Sequence, residues 1–234
     1  MLRGICLNGR VPSGIDGLDA LIEGGFLGGD LILVAGGSGS GKTILSTQFI
    51  YNGATQYGER GVYATFEEDS KTLKRNMLEF AFNLERLERE GAIRLIDLEA
   101  LKGEGLSANL QFILDALEKI DGKRLVIDSL TAFLTACPEK FEYRMLMHLL
   151  YKVLKKKGIT TIMTCSMPMG AETLGIGVEE FVVDSVILLE NAIDGLELKT
   201  KFVVHKMRGT NHSRQYHNVI ITDKGLQILP FVVT

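Results

Sequence analysis

The sequence predicts an α/β fold: a mainly parallel, twisted sheet flanked by helices, followed by C-terminal antiparallel hairpins. Two patterns carry this prediction. From residue 31 to residue 189, short apolar runs alternate with segments of helical periodicity, which is typical of right-handed βαβ units. After residue 196, extended stretches are separated by turn residues, which is typical of hairpins. Because no linker-like segment divides the sequence, we expect one domain over residues 1–234.

The composition is that of an ordinary globular protein, with 46% hydrophobic and 24% charged residues. A formal net charge of −3 gives no general attraction to nucleic acid or to an anionic membrane. Cys6, Cys137 and Cys165 lack metal-ligand spacing, which favours free thiols in a reducing compartment. The sequence contains neither an apolar signal core nor a membrane-length apolar run, so we expect a cytoplasmic protein without a membrane partner.

The first long apolar run, residues 31–35, leads into a glycine-rich loop that ends in Gly41-Lys42-Thr43. Residues 36–43 fit the phosphate-binding pattern Gly-x-x-x-x-Gly-Lys-Thr. Glycines let several N–H groups turn inward, and the following helix adds the positive end of its dipole. Lys42 would place its ammonium between the β- and γ-phosphates of ATP, and Thr43 would offer its hydroxyl to Mg²⁺. The flanking strand and helix patterns favour this function over a turn that binds nothing.

Hydrophobic spacing predicts the other elements in chain order. Before the loop, Ser13 or Asp16 can cap a short helix with the apolar positions Ile15, Leu18, Leu21 and Ile22. Apolar runs predict strands at residues 61–66, 93–97, 124–128, 160–165 and 182–189. After Asp69 or Ser70 we expect a helix whose inward-facing residues are Leu73, Met77, Phe80 and Ala81. Further segments are expected as a loop at 99–107, helices around 110–117 and over 139–157, and hairpin strands at 196–205, 215–222 and 226–229.

Carboxylates follow two of these strands, and ligands of parallel sheets bind at the carboxyl ends of strands. Asp128 ends an apolar strand and precedes Ser129, so we expect it to hold Mg²⁺ together with Thr43. Glu67 or Glu68 could orient and deprotonate the attacking water, with Glu67 favoured. The alternative is that these glutamates stabilise the dipole of the following helix.

Two further groups carry weaker signals. Thr164 or Ser166, after the fifth strand, could sense the γ-phosphate through a hydroxyl. Lys206 and Arg208 would point to the same side of a strand, where two cations repel unless an anion lies between them. The pattern leaves two interpretations of this pair open: solvated side chains on a hairpin, or side chains that reach a phosphate.

Taken together and in order, these motifs resemble the KaiC family within the RecA-like ATPases. The resemblance covers nearly the whole chain and depends on residues 12–19, 36–43, 66–68, 125–129, 177–181 and 206–212. It implies a RecA-like P-loop core that assembles into a hexameric ring with ATP and Mg²⁺ between neighbouring subunits. The reaction implied is hydrolysis of the β–γ phosphoanhydride.

The resemblance also implies roles for individual residues. Glu67 and Glu68 match the catalytic pair, and Lys206 and Arg208 match cations that reach the ATP of the adjacent subunit, as an arginine finger in trans does. The positions implied to contact the nucleotide from its own subunit are Ser38, Gly39, Ser40, Gly41, Lys42, Thr43 and Ile44. The further positions implied to contact it from that same neighbour are Met207, Thr210, His212, Thr222 and Asp223.

The sequence departs from the clock protein of that family in two respects. The clock protein carries two tandem copies of the domain, and this chain has room for one. Its phosphorylating copy has an adjacent Ser-Thr pair where this chain has Glu180-Phe181. We therefore exclude self-phosphorylation at that position, and the sequence does not support a circadian role.

The expected function is that of a ring-forming, Mg²⁺-dependent ATPase whose hydrolysis drives a conformational change or acts on a protein partner. One alternative is a recombinase- or helicase-like motor that binds single-stranded DNA through channel loops at residues 134–144 and 165–180. The second loop contains Glu172, Glu179 and Glu180 and no Lys or Arg, which disfavours DNA. Another alternative is an ATP-gated assembly scaffold with little turnover, against which the Glu67-Glu68 pair argues.

Overall fold

The computed structural model describes residues 9–98, 104–135, 140–167 and 182–229. Its strands are β1 Arg10–Val11, β2 Phe26–Leu27, β3 Leu31–Gly36, β4 Gly61–Thr65, β5 Ile93–Asp97, β6 Arg124–Asp128, β7 Thr160–Ser166, β8 Ser185–Asp194, β9 Glu197–Met207, β10 His217–Thr222 and β11 Gly225–Leu229. Its helices are α1 Leu18–Leu21, α2 Lys42–Tyr57, α3 Ser70–Leu78, α4 Leu84–Arg89, α5 Glu104–Ile120, α6 Leu130–Thr135 and α7 Lys140–Lys157.

Within the described residues, one large sheet has the strand order β11-β10-β9-β8-β3-β7-β6-β4-β5. The strands from β8 to β5 in that order pair in parallel, and β9, β10 and β11 continue the sheet in antiparallel pairs. The short strands β1 and β2 form a separate antiparallel pair. This architecture confirms the predicted α/β fold, with its mainly parallel sheet and its C-terminal hairpins.

The central strand β3 explains why helices cover both faces of the sheet. All six of its residues are buried, as expected for a parallel strand in the middle of an α/β domain. Because side chains alternate along a strand, Leu31, Leu33 and Ala35 enter one apolar cluster, and Ile32 and Val34 enter the other. The carboxyl end of β3 is thereby fixed from both sides, and the loop that follows it starts from a rigid position.

The short lead-in helix begins differently from the prediction that Ser13 or Asp16 caps it. Its N-cap is Gly17, with φ 84°, and no side chain caps it. A Cβ at this glycine would lie 2.0 Å from the carbonyl oxygen of Ile228, so close packing against β11 excludes every other residue. Ser13 instead accepts a hydrogen bond at Oγ from the Ile15 N–H at 3.1 Å. Packing against β11 therefore replaces side-chain capping here.

The helix α3 begins directly after Asp69, as predicted, and Asp69 caps it by accepting hydrogen bonds from the N–H groups of Lys71 and Thr72. The prediction that Ala81 faces inward was wrong. After α3 ends at Leu78 the chain turns, Ala81 is exposed with φ 60°, and Phe82 is buried. The break in helical periodicity therefore starts before Ala81, and α4 was not predicted.

Other predicted boundaries differ as well. The helix α5 begins at Glu104, inside the stretch predicted as a loop over 99–107. The strand β8 begins at Ser185, not at residue 182, and continues to Asp194. The helix α6 lies where no element was predicted.

Among the described residues, no helix is both long enough and apolar enough to cross a membrane. Cys165 is buried and forms no disulfide with another described residue, whereas Cys6, Cys137, Glu172 and residues 177–181 lie outside the described residues.

Arg124, at the start of β6, is fully buried between the sheet and α2, with an exposed fraction of 0%. Its guanidinium donates to Glu59 Oε2 at 2.7 Å, to the Phe49 carbonyl at 2.8 Å and to the Pro12 carbonyl at 2.8 Å. It also lies over the Phe49 ring, with Cζ 4.5 Å from the ring centroid. One side chain therefore joins the lead-in segment, α2 and the sheet.

We expect Arg124→Met to lower the free energy of unfolding by about 3–5 kcal/mol, because it leaves a carboxylate and two carbonyls without their donor. Urea denaturation measures this loss. As a control, Arg86→Met removes an exposed pair with Glu90 at 3.8 Å and should change stability by less than about 0.5 kcal/mol. Equal losses in the two variants would contradict the structural role of Arg124.

Candidate functional site

The loop between β3 and α2 turns the chain at the carboxyl edge of the sheet. Its last residue before the helix, Gly41, is the N-cap of α2 with φ 92°, and no side chain caps the helix. The first N–H groups of α2 are thus left for a ligand, and the helix dipole favours an anion there. A Cβ at Gly37 or Gly39 would meet no atom within 4 Å, so the loop opens outward.

Lys42 folds back over this loop. Its Nζ donates to the carbonyl oxygens of Gly36 at 2.9 Å and Gly37 at 2.8 Å. Burial lowers the pKa of Lys42, while the negative charges of Asp128 and Glu67 oppose that shift. The ammonium is therefore held above the loop, near the carboxylates of Asp128 and Glu67.

Asp128 lies at the end of β6, where three hydroxyl groups contact it. Thr43 Oγ1 donates to Asp128 Oδ2 at 3.0 Å, and the buried Tyr63 hydroxyl donates to the same oxygen at 2.6 Å. Thr164 Oγ1 donates to Asp128 Oδ1. A carboxylate fixed beside a threonine hydroxyl is an arrangement that suits Mg²⁺, which binds through one or two protein oxygens together with phosphate oxygens.

The two glutamates after β4 have different surroundings. Glu67 accepts a hydrogen bond from Ser129 Oγ and lines the same cavity as Lys42. Glu68 accepts instead from Asn76 Nδ2 at 2.7 Å. Burial, together with the negative charges of Asp128 and Asp69, raises the pKa of Glu68. Glu67 therefore faces the loop, and Glu68 faces α3.

These groups surround a cavity of about 410 Å³ at the carboxyl edge of the sheet. The residues that line it are Ser38, Gly39, Lys42, Thr43, Glu67, Asp128, Thr131, Ser166 and Met167. Ser166 therefore faces the cavity, whereas Thr164 is buried and bonded to Asp128. The open loop, the ammonium and the hydroxyl–carboxylate pair fit a polyphosphate with a divalent cation.

Two other predicted residues of the loop segment contact the protein interior. Ser40 is buried, and its Oγ has no hydrogen-bond partner among the described residues. Ile44 is partly buried against one of the two apolar clusters. Ser38 is nearer the surface, and its carbonyl accepts from Asn191 Nδ2 at 3.3 Å.

The structure places Lys206 and Arg208 at the other edge of the sheet. Ser185 pairs with Ile32 on one side and with Met207 on the other, so this segment is level with the amino end of β3. The strand β9 ends at Met207, and Arg208 lies in the turn that follows. Met207 is level with Ile32, and Arg208 lies one residue further from the loop, so about five residues of β3, roughly 17 Å at 3.3 Å per residue, separate Arg208 from Gly36, where the phosphate loop starts.

The other predicted nucleotide contacts divide between the two edges. Thr210 accepts at Oγ1 from Arg10 Nη1 at 3.0 Å, and His212 Nδ1 lies 2.9 Å from the Ser213 carbonyl oxygen, beside the lead-in segment. Thr222 and Asp223 lie instead in the β10–β11 turn. The strands that flank this turn pack on α2, where the Leu226 N–H donates to Gln48 Oε1 at 2.9 Å. The structure therefore does not bring these two pairs together within one chain, and their roles stay predictions.

Sequence reasoning missed several residues of the site. Tyr63 lies in the middle of an apolar strand, and its hydroxyl was the one available signal that the strand meets a polar group. Thr131 and Met167 line the cavity but match no motif. At the opposite edge of the sheet, Asp184 contacts the segment that carries Arg208, and its position just before β8 gave no indication of that contact.

Comparisons with known proteins agree with this geometry. A protein-family model described as "ATPase: KaiC" matches residues 11–232. A UPF0273 protein of Pyrococcus furiosus is 34% identical, with 94% of each chain covered. The circadian clock oscillator protein KaiC of Synechococcus elongatus is 35% identical over 92% of this chain, which spans 43% of that protein. The crystal structure of a KaiC-like protein from Pyrococcus horikoshii OT3 superposes with a TM-score of 0.86 at 38% identity, covering 94% of this chain and 99% of that one.

The contacts of Asp128 yield a test of the site that needs no ligand. We expect Tyr63→Phe to lower the free energy of unfolding by about 1.5–3 kcal/mol, because a partly buried charged acceptor loses its buried donor. In an Asp128→Ala background the same change should cost much less, since the hydroxyl has already lost its acceptor. Tyr216→Phe, at a half-exposed tyrosine, is the control and should have little effect. Equal costs in both backgrounds, measured by urea denaturation, would show that the two side chains are not coupled.

Proposed function

The chain belongs to the KaiC family of ATPases, a family of nucleotide-binding proteins, and from that premise we propose that it hydrolyses ATP with Mg²⁺ at sites between the subunits of a homohexameric ring. The observation that carries this proposal is the division of the predicted site. The loop, Glu67 and Asp128 share one edge of the sheet, and the cations Lys206 and Arg208 lie at the other edge.

We propose the following roles at the loop edge. The N–H groups of the loop and Lys42 bind the phosphates, and Glu67, held by Ser129, orients the attacking water and accepts its proton. Thr43 and Asp128 would hold Mg²⁺, which would neutralise charge on the β- and γ-phosphate oxygens. Ser166 lines the cavity and could donate a hydrogen bond to the γ-phosphate. Glu68, which accepts a hydrogen bond from Asn76 of α3, would assist Glu67 from the α3 side.

The trans assignment of the cations follows from distance. An arginine side chain cannot cover the roughly 17 Å that β3 places between the two edges. A second copy, packed with its amino edge against the carboxyl edge of the first, would bring Lys206 and Arg208 to the γ-phosphate and Thr210 and His212 to the rest of the nucleotide. This is the arrangement of an arginine finger supplied in trans. Hydrolysis at such a site would change the contacts between subunits. A protein partner could recognise that change.

We expect Glu67→Gln combined with Glu68→Gln to lower ATP turnover by about 100-fold or more, since general-base catalysis contributes that much. Nucleotide affinity should stay close to that of the parent, because the loop and Lys42 are unchanged. Glu79→Gln, at an exposed acid just after α3, is the matched control. Turnover of the double variant equal to that of the parent would remove the assigned role and would favour an ATP-gated scaffold.

Mixed rings test the trans assignment. Each of Lys42→Ala and Arg208→Ala should abolish most turnover by itself, because removal of a finger costs about 10³-fold or more. In a 1:1 mixture, about a quarter of randomly formed interfaces would pair an intact loop with an intact finger, so turnover should partly return.

The control for this experiment is Lys42→Ala mixed with the Lys42→Ala/Arg208→Ala double variant, which cannot form an intact site. Differently tagged subunits, recovered together, show that mixing has occurred. Mixed rings without any recovery of turnover would contradict a finger supplied by the neighbouring subunit.

A further inference from the structure

Asp184 is a buried carboxylate at the amino edge of the sheet, far from the phosphate loop of its own chain. Its side chain is 5% exposed. Asp184 Oδ2 accepts from the Leu31 N–H at 3.1 Å and from Lys155 Nζ at 3.0 Å. Asp184 Oδ1 accepts from the Tyr151 hydroxyl at 3.1 Å and lies 3.9 Å from Arg208 Nη1. A buried carboxylate therefore joins β3, α7 and the turn that carries Arg208.

The charge balance around Asp184 involves the guanidinium of Arg208. Lys155 also donates to Asp30 Oδ1 at 2.7 Å, and the Asp30 side chain is 2% exposed. One ammonium is thus shared by two buried carboxylates, and buried charges need compensation. Burial and the negative charge of Asp184 raise the pKa of Asp30. Arg208 supplies a second positive charge to this group while its side chain stays 51% exposed.

The backbone carbonyls of residues 183 and 184 accept hydrogen bonds from Lys206 and Arg208. The Arg208 N–H donates to the Asp184 carbonyl at 3.1 Å, and Lys206 Nζ donates to the Val183 carbonyl at 2.8 Å. Met207, between them, pairs with Ser185 in the β8–β9 ladder. Residues 183–184 therefore contact both cations and the chain that connects them, and half of the Arg208 side chain still faces solvent.

We propose that Asp184 is a positioning residue: its carboxylate holds the guanidinium of Arg208 at the subunit surface, ready to meet a triphosphate bound by a neighbouring copy. This inference rests on the proposed function, because it needs Arg208 to act in trans. An arginine held in place by a carboxylate loses less conformational freedom when it meets a phosphate than a solvated arginine does. Asp184 therefore acts on the neighbour's reaction and not on nucleotide binding by its own loop.

The substitution Asp184→Asn keeps the size of the side chain and removes its charge. In homogeneous rings we expect kcat to fall about tenfold or more, with the KM for ATP within about twofold of the parent value. Tyr151→Phe is the matched control, because it removes one neutral donor and leaves the contact between the carboxylate and the guanidinium. It should leave kcat within about twofold of the parent.

Mixed rings separate positioning from a general structural defect. Asp184→Asn subunits keep an intact phosphate loop, so Lys42→Ala subunits, which supply an intact finger, should restore part of their turnover. Arg208→Ala subunits should not restore it, because both partners then lack a working finger. In nucleotide-free protein, Arg208→Ala should lower the Tm of the parent and should have less effect in the Asp184→Asn background. If Asp184→Asn does not fold, Asp184→Glu keeps the charge, moves the carboxylate and should give the same pattern of restoration.

Two results would overturn the positioning role. One is an unchanged kcat in the Asp184 variants; the other is a lowered kcat that Lys42→Ala subunits fail to restore while the same subunits do restore Arg208→Ala rings. Failure of the proposed function is a different result: Arg208→Ala then keeps full turnover in homogeneous rings, and Asp184 has no finger to position.

Discussion

The length of β3 is the constraint on which the proposed site depends. The strand carries the phosphate loop at its carboxyl end, and the segment that holds Lys206 and Arg208 is level with its amino end. Both faces of β3 are buried in apolar clusters, so the strand cannot shorten or tilt to bring the two ends together. The loop and these cations therefore lie too far apart to meet within one chain, which is why we propose that a second copy brings them together.

Buried polar groups fix the two edges of the sheet. At the carboxyl edge, Tyr63 and Thr164 hold Asp128 beside Thr43. At the amino edge, Lys155 connects Asp184 with Asp30. Such networks are costly when they are incomplete, so each tends to specify one arrangement of its members. In each network, buried groups near the end of a strand fix a charged side chain that is partly open to solvent: Asp128 at the carboxyl edge and Arg208 at the amino edge.

Much of this arrangement could be predicted from the sequence because the signals are local. The phosphate loop is a contiguous pattern, and Glu67 and Asp128 directly follow apolar runs, so the topology of a parallel sheet brings them to one edge. The contacts of Tyr63 and Asp184 could not be predicted, because they join strands and helices that are far apart in the sequence. Gly17 replaced the predicted caps for a similar reason: close packing against β11 is a tertiary contact. The KaiC resemblance suggested a trans role for Lys206 and Arg208. The sheet register adds that, within one chain, Arg208 lies too far from the phosphate loop for its side chain to reach a phosphate there.

Specific ATPase activity measured across a dilution series, with the assembly state followed in parallel by sedimentation, tests the shared site most directly. If one copy completes the site of another, turnover per chain at saturating Mg²⁺ and ATP falls together with the fraction of assembled protein. Full turnover per chain at dilutions where sedimentation shows monomers would contradict the shared site.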